Sequence, residues 1–188
     1  MKSGTEFVYK SSIMRPQQID IALQRLATQI WERHEGRQNI CLVGIRTRGV
    51  PMALAIAAYL KSLFDIIVPV GKIDISLYRD DLTEKSSQPV SGKIDIDFLV
   101  RENHIILVDD VVYTGRTCRA AIDALISLGR PRSIQFCALI DRGWREMPIQ
   151  PDFVGRVMPT SWDEMIKVLF METDGEQSVK LFERQPKK

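Results

Sequence analysis

Ile105-Ile106-Leu107-Val108-Asp109-Asp110-Val111-Val112-Tyr113-Thr114-Gly115-Arg116-Thr117 is the stretch from which the rest of the chain can be read. Its apolar start has the length and β-branched content of a buried parallel strand, two carboxylates close it, and Thr-Gly-Arg-Thr turns the chain into a helix. In that helix Cys118, Ile122, Leu125 and Ile126 recur at spacings of four, seven and eight, while Arg119 and Asp123 face the other way. Gly129 and Pro131 then stop it. Strand, acid pair, turn and helix in this order make a phosphate site with acids beside it.

The turn explains why. A helix N-terminus presents unpaired backbone N–H groups and about half a positive charge, so an anion docked there is stabilised. Gly115 lets the backbone come close, Thr114 and Thr117 add hydroxyl donors, and Arg116 adds a fixed cation. Two acids directly before a phosphate would repel it unless a group lies between, and a ribose diol, with or without a metal, fills that gap. Each piece alone also has an ordinary reading, since acid pairs cap many strands and Thr-Gly-Arg-Thr can be a plain βα turn. The complete run resembles the phosphoribosyl pyrophosphate (PRPP) motif of type I phosphoribosyltransferases, in which apolar strand, acid pair and Thr-Gly-rich loop follow in this order.

Composition agrees with an enzyme of that size. The 188 residues suit one domain, or one domain with a small appendage, and 45% hydrophobic content is ample for a packed core. A net charge of +2 is nearly neutral and leaves no strong nucleic-acid footprint. Three cysteines, Cys41, Cys118 and Cys137, all lie in apolar segments without CxxC spacing, as expected of reduced core thiols in a cytosolic protein. No apolar run approaches about 18 residues and Met1 to Ser12 has no signal-like hydrophobic segment, so a soluble, cytoplasmic protein with no membrane contact is expected.

Outward from this motif, Met1 to Arg15 reads as an extended arm, and Pro16 suits the first turn of a helix whose stripe is Ile19, Leu23, Leu26 and Ile30. Ile40 to Ile45 is a second buried strand, and Arg46-Thr47-Arg48-Gly49 leads from it into a helix over Val50 to Leu63. Two cations and a glycine at such a turn suggest another anion site, although a solvated loop is the plain alternative. Val68 to Arg79 and Ile94 to Phe98 alternate like strands, with a polar stretch from Asp80 to Gly92 between them, which predicts a hairpin joined by a mobile loop carrying Tyr78, Arg79, Asp80 and Asp81. Ser133 to Ile140 is a further buried strand. From Phe153 onward, short alternating pieces read as a small β-rich cap returning to the core, with a turn at Asp174-Gly175 and a frayed Lys187-Lys188 end.

Several separate motifs make the resemblance specific. Val43-Gly44-Ile45-Arg46-Thr47-Arg48-Gly49, Leu77-Tyr78-Arg79-Asp80-Asp81-Leu82-Thr83, the central motif, Leu128-Gly129-Arg130-Pro131, Asp141-Arg142-Gly143, Pro151-Asp152-Phe153-Val154-Gly155 and Met158-Pro159-Thr160-Ser161 are similar, in order, to the PyrR family of pyrimidine operon attenuators that are also uracil phosphoribosyltransferases. The resemblance implies an α/β type I phosphoribosyltransferase fold: a central parallel sheet flanked by helices, a flexible β-hairpin and a small β-rich hood. It implies one domain over 1–188, with a core at about 16–142 and a hood at about 143–188 plus the N-terminal arm, and assembly as a homodimer or higher oligomer.

The implied reaction is uracil plus PRPP giving uridine monophosphate (UMP) and pyrophosphate. Asp109 and Asp110 would bind the ribose hydroxyls directly or through Mg²⁺, and Tyr113, Thr114, Gly115, Arg116 and Thr117 would hold the 5′-phosphate. Arg46, Thr47, Arg48 and Gly49 would hold pyrophosphate, with Arg48 and Arg79 stabilising the leaving charge. Ile140, Asp141 and Arg142 would read the base edge, and Trp162, preferred over Trp144, would stack on the base. A purine (hypoxanthine or guanine) phosphoribosyltransferase is the enzymatic alternative.

The alternative of another class is an RNA-binding attenuator with little catalysis, reading an mRNA leader and not DNA. Arg25, Arg145 and Arg156 would supply its cations. Trp144 stands where relatives usually have His, Gln150 where Arg is common, and Gln24 and Thr28 where Thr and His are usual. Phosphate contacts dominate RNA affinity, so these departures predict a weakened RNA face beside intact catalytic motifs.

Overall fold

In the sequence, short buried strands alternate with amphipathic helices, and a parallel sheet covered on both faces is the packing that buries both. The computed structural model describes residues 5–35, 39–75 and 94–186. In chain order the elements are β1 (Thr5–Met14), α1 (Pro16–His34), β2 (Ile40–Ile45), α2 (Gly49–Phe64), β3 (Val70–Ile73), β4 (Ile94–Asp95), β5 (His104–Val112), α3 (Arg116–Leu128), β6 (Ser133–Asp141), β7 (Phe153–Val157), β8 (Glu164–Leu169), α4 (Met171–Asp174) and β9 (Ser178–Pro186). The described strands form a six-stranded sheet in the order β4-β3-β2-β5-β6-β7 and a three-stranded antiparallel sheet in the order β1-β9-β8. All pairs of the larger sheet are parallel except β3 with β4.

Strand alternation divides the core. Leu42, Ile106 and Val108 pack with Ile19, Leu26, Ile30, Met52 and Ile56 of α1 and α2. Cys41, Val43, Ile105 and Leu107 pack on the opposite face with Cys118, Ala121 and Leu125 of α3. The predicted stripe of α1 is therefore its buried face, and the expected α/β sandwich is present. Ile166, Val168, Val179 and Leu181 of the small sheet join the cluster on the α1 side, so the hood and the core share one apolar interior.

Two strands differ from expectation. Phe153–Val157 reads in sequence as part of the cap, yet β7 is the parallel edge strand of the main sheet, paired with β6 from Cys137↔Phe153 to Asp141↔Val157. Pro148 and Pro151 lie in the loop that crosses from β6 to β7. Buried Phe153 and the Asp152 carboxylate, which accepts from the Phe136 amide at 2.9 Å, hold the strand against β6. The N-terminal arm is extended as expected and is a paired strand, β1, of the hood. The predicted hairpin is visible as β3 paired with β4 through Lys72↔Asp95 and Ile73↔Ile94, whereas Tyr78, Arg79, Asp80 and Asp81 lie outside the described residues. Among the described residues no helix is long and apolar enough to cross a membrane.

Candidate active site

The carboxyl ends of β2 and β5 are neighbours in the sheet, so the turns that follow them open on one side of the molecule. Ligands of open parallel sheets bind at such ends, where helix N-termini converge. The turn after β5 carries Tyr113 to Gly115 into α3. A cavity of about 370 Å³ there is lined by Asp109, Tyr113, Thr114, Gly115, Arg116, Thr117 and Glu146. A larger cleft of about 1230 Å³ beside it is lined by Arg46, Thr47, Arg48, Lys72, Asp74, Asp109, Asp110 and Thr117. Asp109 and Thr117 face both, so the cavities at the two predicted anion sites meet at the first acid of the pair.

The acid pair is fixed by its own backbone. Asp109 is buried, and its Oδ1 accepts from the Asp110 amide at 3.0 Å. Burial pushes the Asp110 carboxyl above the ordinary carboxylate value, while Asp109 and the Arg48 charge draw it back. A carboxyl whose charge is disfavoured by burial suits a ligand that brings hydroxyls or positive charge.

The turn from Tyr113 to Thr117 is shaped by close packing and by hydrogen bonds to Thr114 and Arg116. Gly115 has φ +89° as the residue before α3, and a side chain there would meet Met147 Cβ at 3.1 Å. Thr114 Oγ1 accepts from the Arg116 amide at 3.3 Å. The Thr114 carbonyl accepts from the amides of Glu146 and Met147 at 2.9 and 3.0 Å, and Arg116 Nε donates to Glu146 at 2.7 Å. Gly115→Ala is expected to keep the fold and weaken PRPP binding roughly tenfold, because a positive-φ alanine costs about 1–2 kcal/mol and moves the loop amides. Titration of PRPP against the variant checks this. Cys118 also lines the cavity, but burial pushes its thiol up to about 12, so it stays protonated and unreactive.

The turn from Arg46 to Gly49 is also closely held. Arg46 donates its amide to the Ile73 carbonyl at 2.9 Å, and its guanidinium lies 3.7 Å from Asp74. The Arg46–Thr47 peptide is cis. Gly49 begins α2 directly against β5: a Cβ there would lie 2.2 Å from the Val108 carbonyl oxygen. Arg48 donates to Asp174 through Nε at 3.2 Å and Nη2 at 2.8 Å. That ion pair raises the Arg48 value and holds Asp174 below the usual carboxylate range.

At the residues predicted to read the base, Ile140 is buried in β6 and Asp141 ends it. Asp141 accepts from the Gly143 amide at 2.9 Å and from Arg145 at 2.6 Å. Arg142 is buried and donates to Thr160 Oγ1 at 3.0 Å and to the carbonyls of Ser161 and Glu164 at 3.3 and 2.8 Å, with its guanidinium 4.1 Å from the Tyr113 ring centroid. Trp162 is 60% exposed, 5.6 Å from Trp144 in a T-shaped pair and 6.3 Å from Tyr113. Trp144 Nε1 donates to the Thr160 carbonyl at 2.6 Å, so its ring is pinned to the hood while the Trp162 ring is more open to solvent. Arg142 therefore ties the hood to Tyr113 at the start of the turn into α3. Arg142→Lys, which keeps the charge but loses the fork, is expected to destabilise the protein by about 1–2 kcal/mol in urea unfolding.

The structure separates the cations predicted for RNA. Arg145 is no surface cation: it donates to the Tyr113, Gly143 and Ile149 carbonyls and to Asp141, and only 13% of its side chain is exposed. It braces the site because Asp141 and three carbonyls surround it, an arrangement invisible in a charge count. Arg25 and Arg156 are exposed, Arg25 donating to the carbonyl of Gly155, the residue before Arg156, and Arg156 to the Ile13 carbonyl. Sequence reasoning missed Asp174 and Glu146. Glu146 ended a polar break and Asp174 looked like half of an Asp-Gly turn, and neither carried a signal of the arginine it meets.

Among known protein families, the model of the phosphoribosyl transferase domain matches residues 11–169. Proteins named Bifunctional protein PyrR from Deinococcus deserti, Thermoanaerobacter sp. and Thermus thermophilus are 48%, 50% and 49% identical, covering 93%, 93% and 94% of this chain and 95%, 98% and 98% of their own. Among solved structures, a hypoxanthine-guanine phosphoribosyltransferase from Bacillus anthracis superposes with a TM-score of 0.70 at 21% identity, covering 94% of this chain and 98% of its own. The hypoxanthine phosphoribosyltransferase of Trypanosoma cruzi gives 0.73 at 17% identity, covering 95% and 98%. At such identities the structural likeness establishes the fold alone.

Proposed function

Because the chain belongs to the phosphoribosyltransferase domain family and, within it, to the PyrR proteins, we propose that it transfers the phosphoribosyl group of PRPP to uracil, giving UMP and pyrophosphate. The observation that carries the reading is Asp109, which lines both a cavity at the N-terminus of α3 and a cleft beside Arg48, with Asp110 next to it in that cleft.

The geometry supports the following sequence. PRPP lies across the strand ends with its 5′-phosphate on Tyr113 to Thr117, its ribose hydroxyls at Asp109 and Asp110, and its pyrophosphate toward Arg46, Thr47 and Arg48. The bond from C1 to the pyrophosphate oxygen breaks as the bond from C1 to uracil N1 forms, and the N1 proton passes to the departing pyrophosphate or to water. Charge separation makes C1 oxocarbenium-like, so the acids stabilise the ring while arginine stabilises the departing diphosphate. Positioning the two reactants contributes as much as any single group. Ile140, Asp141 and Arg142 shape the base end and Trp162 offers a ring to stack on. Arg79 remains a candidate for the leaving charge from the sequence resemblance.

Mg²⁺ fits the donors present. Two adjacent carboxylates stand at the cleft, and among the described residues no cluster of three or more His, Cys, Asp or Glu could cage a metal. Such a set suits an ion that takes most ligands from pyrophosphate oxygens and water. When bound it would neutralise diphosphate charge. Asp109 and Asp110 are the residues that would meet it, directly or through the ribose.

The test is PRPP- and Mg²⁺-dependent conversion of uracil to UMP, with hypoxanthine and guanine run alongside. Turnover of uracil above both purines is expected; preference for a purine would replace the base assignment, and no turnover with any base would remove the enzymatic one. The exposed cations Arg25 and Arg156, with the PyrR relatives, favour a second activity, RNA binding as a pyrimidine gene regulator. A gel-shift titration over rising salt tests it, since replacing one phosphate-binding arginine with a neutral residue reduces the salt slope by about one.

A further inference from the structure

We propose that Asp174 is a positioning residue for pyrophosphate: it holds Arg48 so that one edge of the guanidinium stays presented to the leaving group. This rests on the reading of Arg48 as a pyrophosphate ligand and extends it to a residue 126 positions away in the hood.

A guanidinium has two edges that can each grip an oxyanion through paired N–H donors. Asp174 takes the Nε–Nη2 edge with both carboxylate oxygens, at 3.2 and 2.8 Å. The Nη1–Nη2 edge is the one a diphosphate can take, and Arg48 lines the cleft together with Asp110 and Thr47. Asp174 is itself anchored, because its Oδ2 accepts from the Phe170 amide at 3.0 Å across the single turn of α4. Only 15% of its side chain is exposed. The post is therefore rigid, and the arginine is the part it orders. Glu172 and Thr173 of the same turn line the same cleft, so the β8–α4–β9 corner forms one wall of the anion site.

An arginine side chain is costly to order, and a bidentate carboxylate does so before the ligand arrives. A latch that merely blocks Arg48 would have the opposite effect on removal, which makes the two roles separable. In the full-length protein, Asp174→Asn is expected to weaken Mg²⁺-pyrophosphate binding by calorimetry about tenfold and to raise KM for PRPP by a similar factor. UMP affinity, KM for uracil and thermal midpoint should stay within about twofold and a few degrees of the parent. Asp174→Glu, which can still reach Arg48, should recover part of the loss. Unchanged or tighter pyrophosphate binding in Asp174→Asn would overturn the proposal, as would equal losses for pyrophosphate and UMP, the mark of a structural role. If Asp174→Asn does not fold, Asp174→Glu carries the test, and pyrophosphate and UMP affinities that weaken together would sink the idea. Absence of uracil turnover in the parent protein would instead refute the assigned reaction, while the pyrophosphate titration would still decide the role of Asp174.

Discussion

Asp110→Asn is expected to lower kcat for UMP formation by about 10²–10³-fold and, at neutral pH, to raise the thermal midpoint. The loss follows from removing a preorganised negative charge beside a ring that becomes cationic. The gain follows from the same burial. Asp110 is held above the ordinary carboxylate value by desolvation, so its ionised form is disfavoured in the folded chain relative to the unfolded one. The sign follows directly. A carboxyl raised on folding contributes stability below its unfolded value, and that contribution is lost as pH rises through the raised folded value. Asparagine keeps the shape without ionising, so the variant should retain at neutral pH what the parent loses. Melting curves across pH check this: the advantage should vanish in acid, below the ordinary carboxylate range. A variant that melts lower than the parent at neutral pH would show that the charge is already compensated in the free protein. Opposite changes in activity and stability are the signature of a group kept for chemistry.

Gly49→Ala should be the most destabilising of the small substitutions, by about 3 kcal/mol or more, because overpacking against a backbone cannot be relieved by a rotamer change. The added methyl would lie 2.2 Å from the Val108 carbonyl oxygen, 3.1 Å from its carbon and 3.3 Å from Asp109 Cα. Those atoms belong to the central strand, so α2 must move instead. Movement there would carry Arg48 away from the acid pair, and both PRPP affinity and turnover should fall with stability. Urea unfolding and PRPP titration of the same preparation measure the two effects. A near-parental unfolding midpoint would mean that α2 can slide along β5 without cost, contrary to the close approach seen.

The strands and helices of the core were legible because each has a single dominant pattern. Ile105 to Val108 and Ile40 to Ile45 are apolar on both faces, which only a covered parallel sheet accommodates, and Ile19, Leu23, Leu26 and Ile30 mark one face of a helix. Phe153 to Val157 was less legible, since an edge strand carries polar residues on its outer side and looks like a piece of the cap. Register with β6 decided its place.

The sequence by itself determined the order of strand, acid pair and glycine turn, and with it the α/β class and the two candidate anion turns, Arg46 to Gly49 and Tyr113 to Thr117. Those features are local: hydrophobic period, backbone chemistry at a turn and helix polarity act within a few residues. Tertiary structure alone decided which charges meet. Asp174 reaches Arg48, Glu146 reaches Arg116, and Arg145 turns inward to Asp141 and three carbonyls instead of outward to solvent. The physical reason is that a charged side chain can be partnered from any part of the chain, and only the packing of hood and loops onto the sheet brings a particular partner within hydrogen-bond distance.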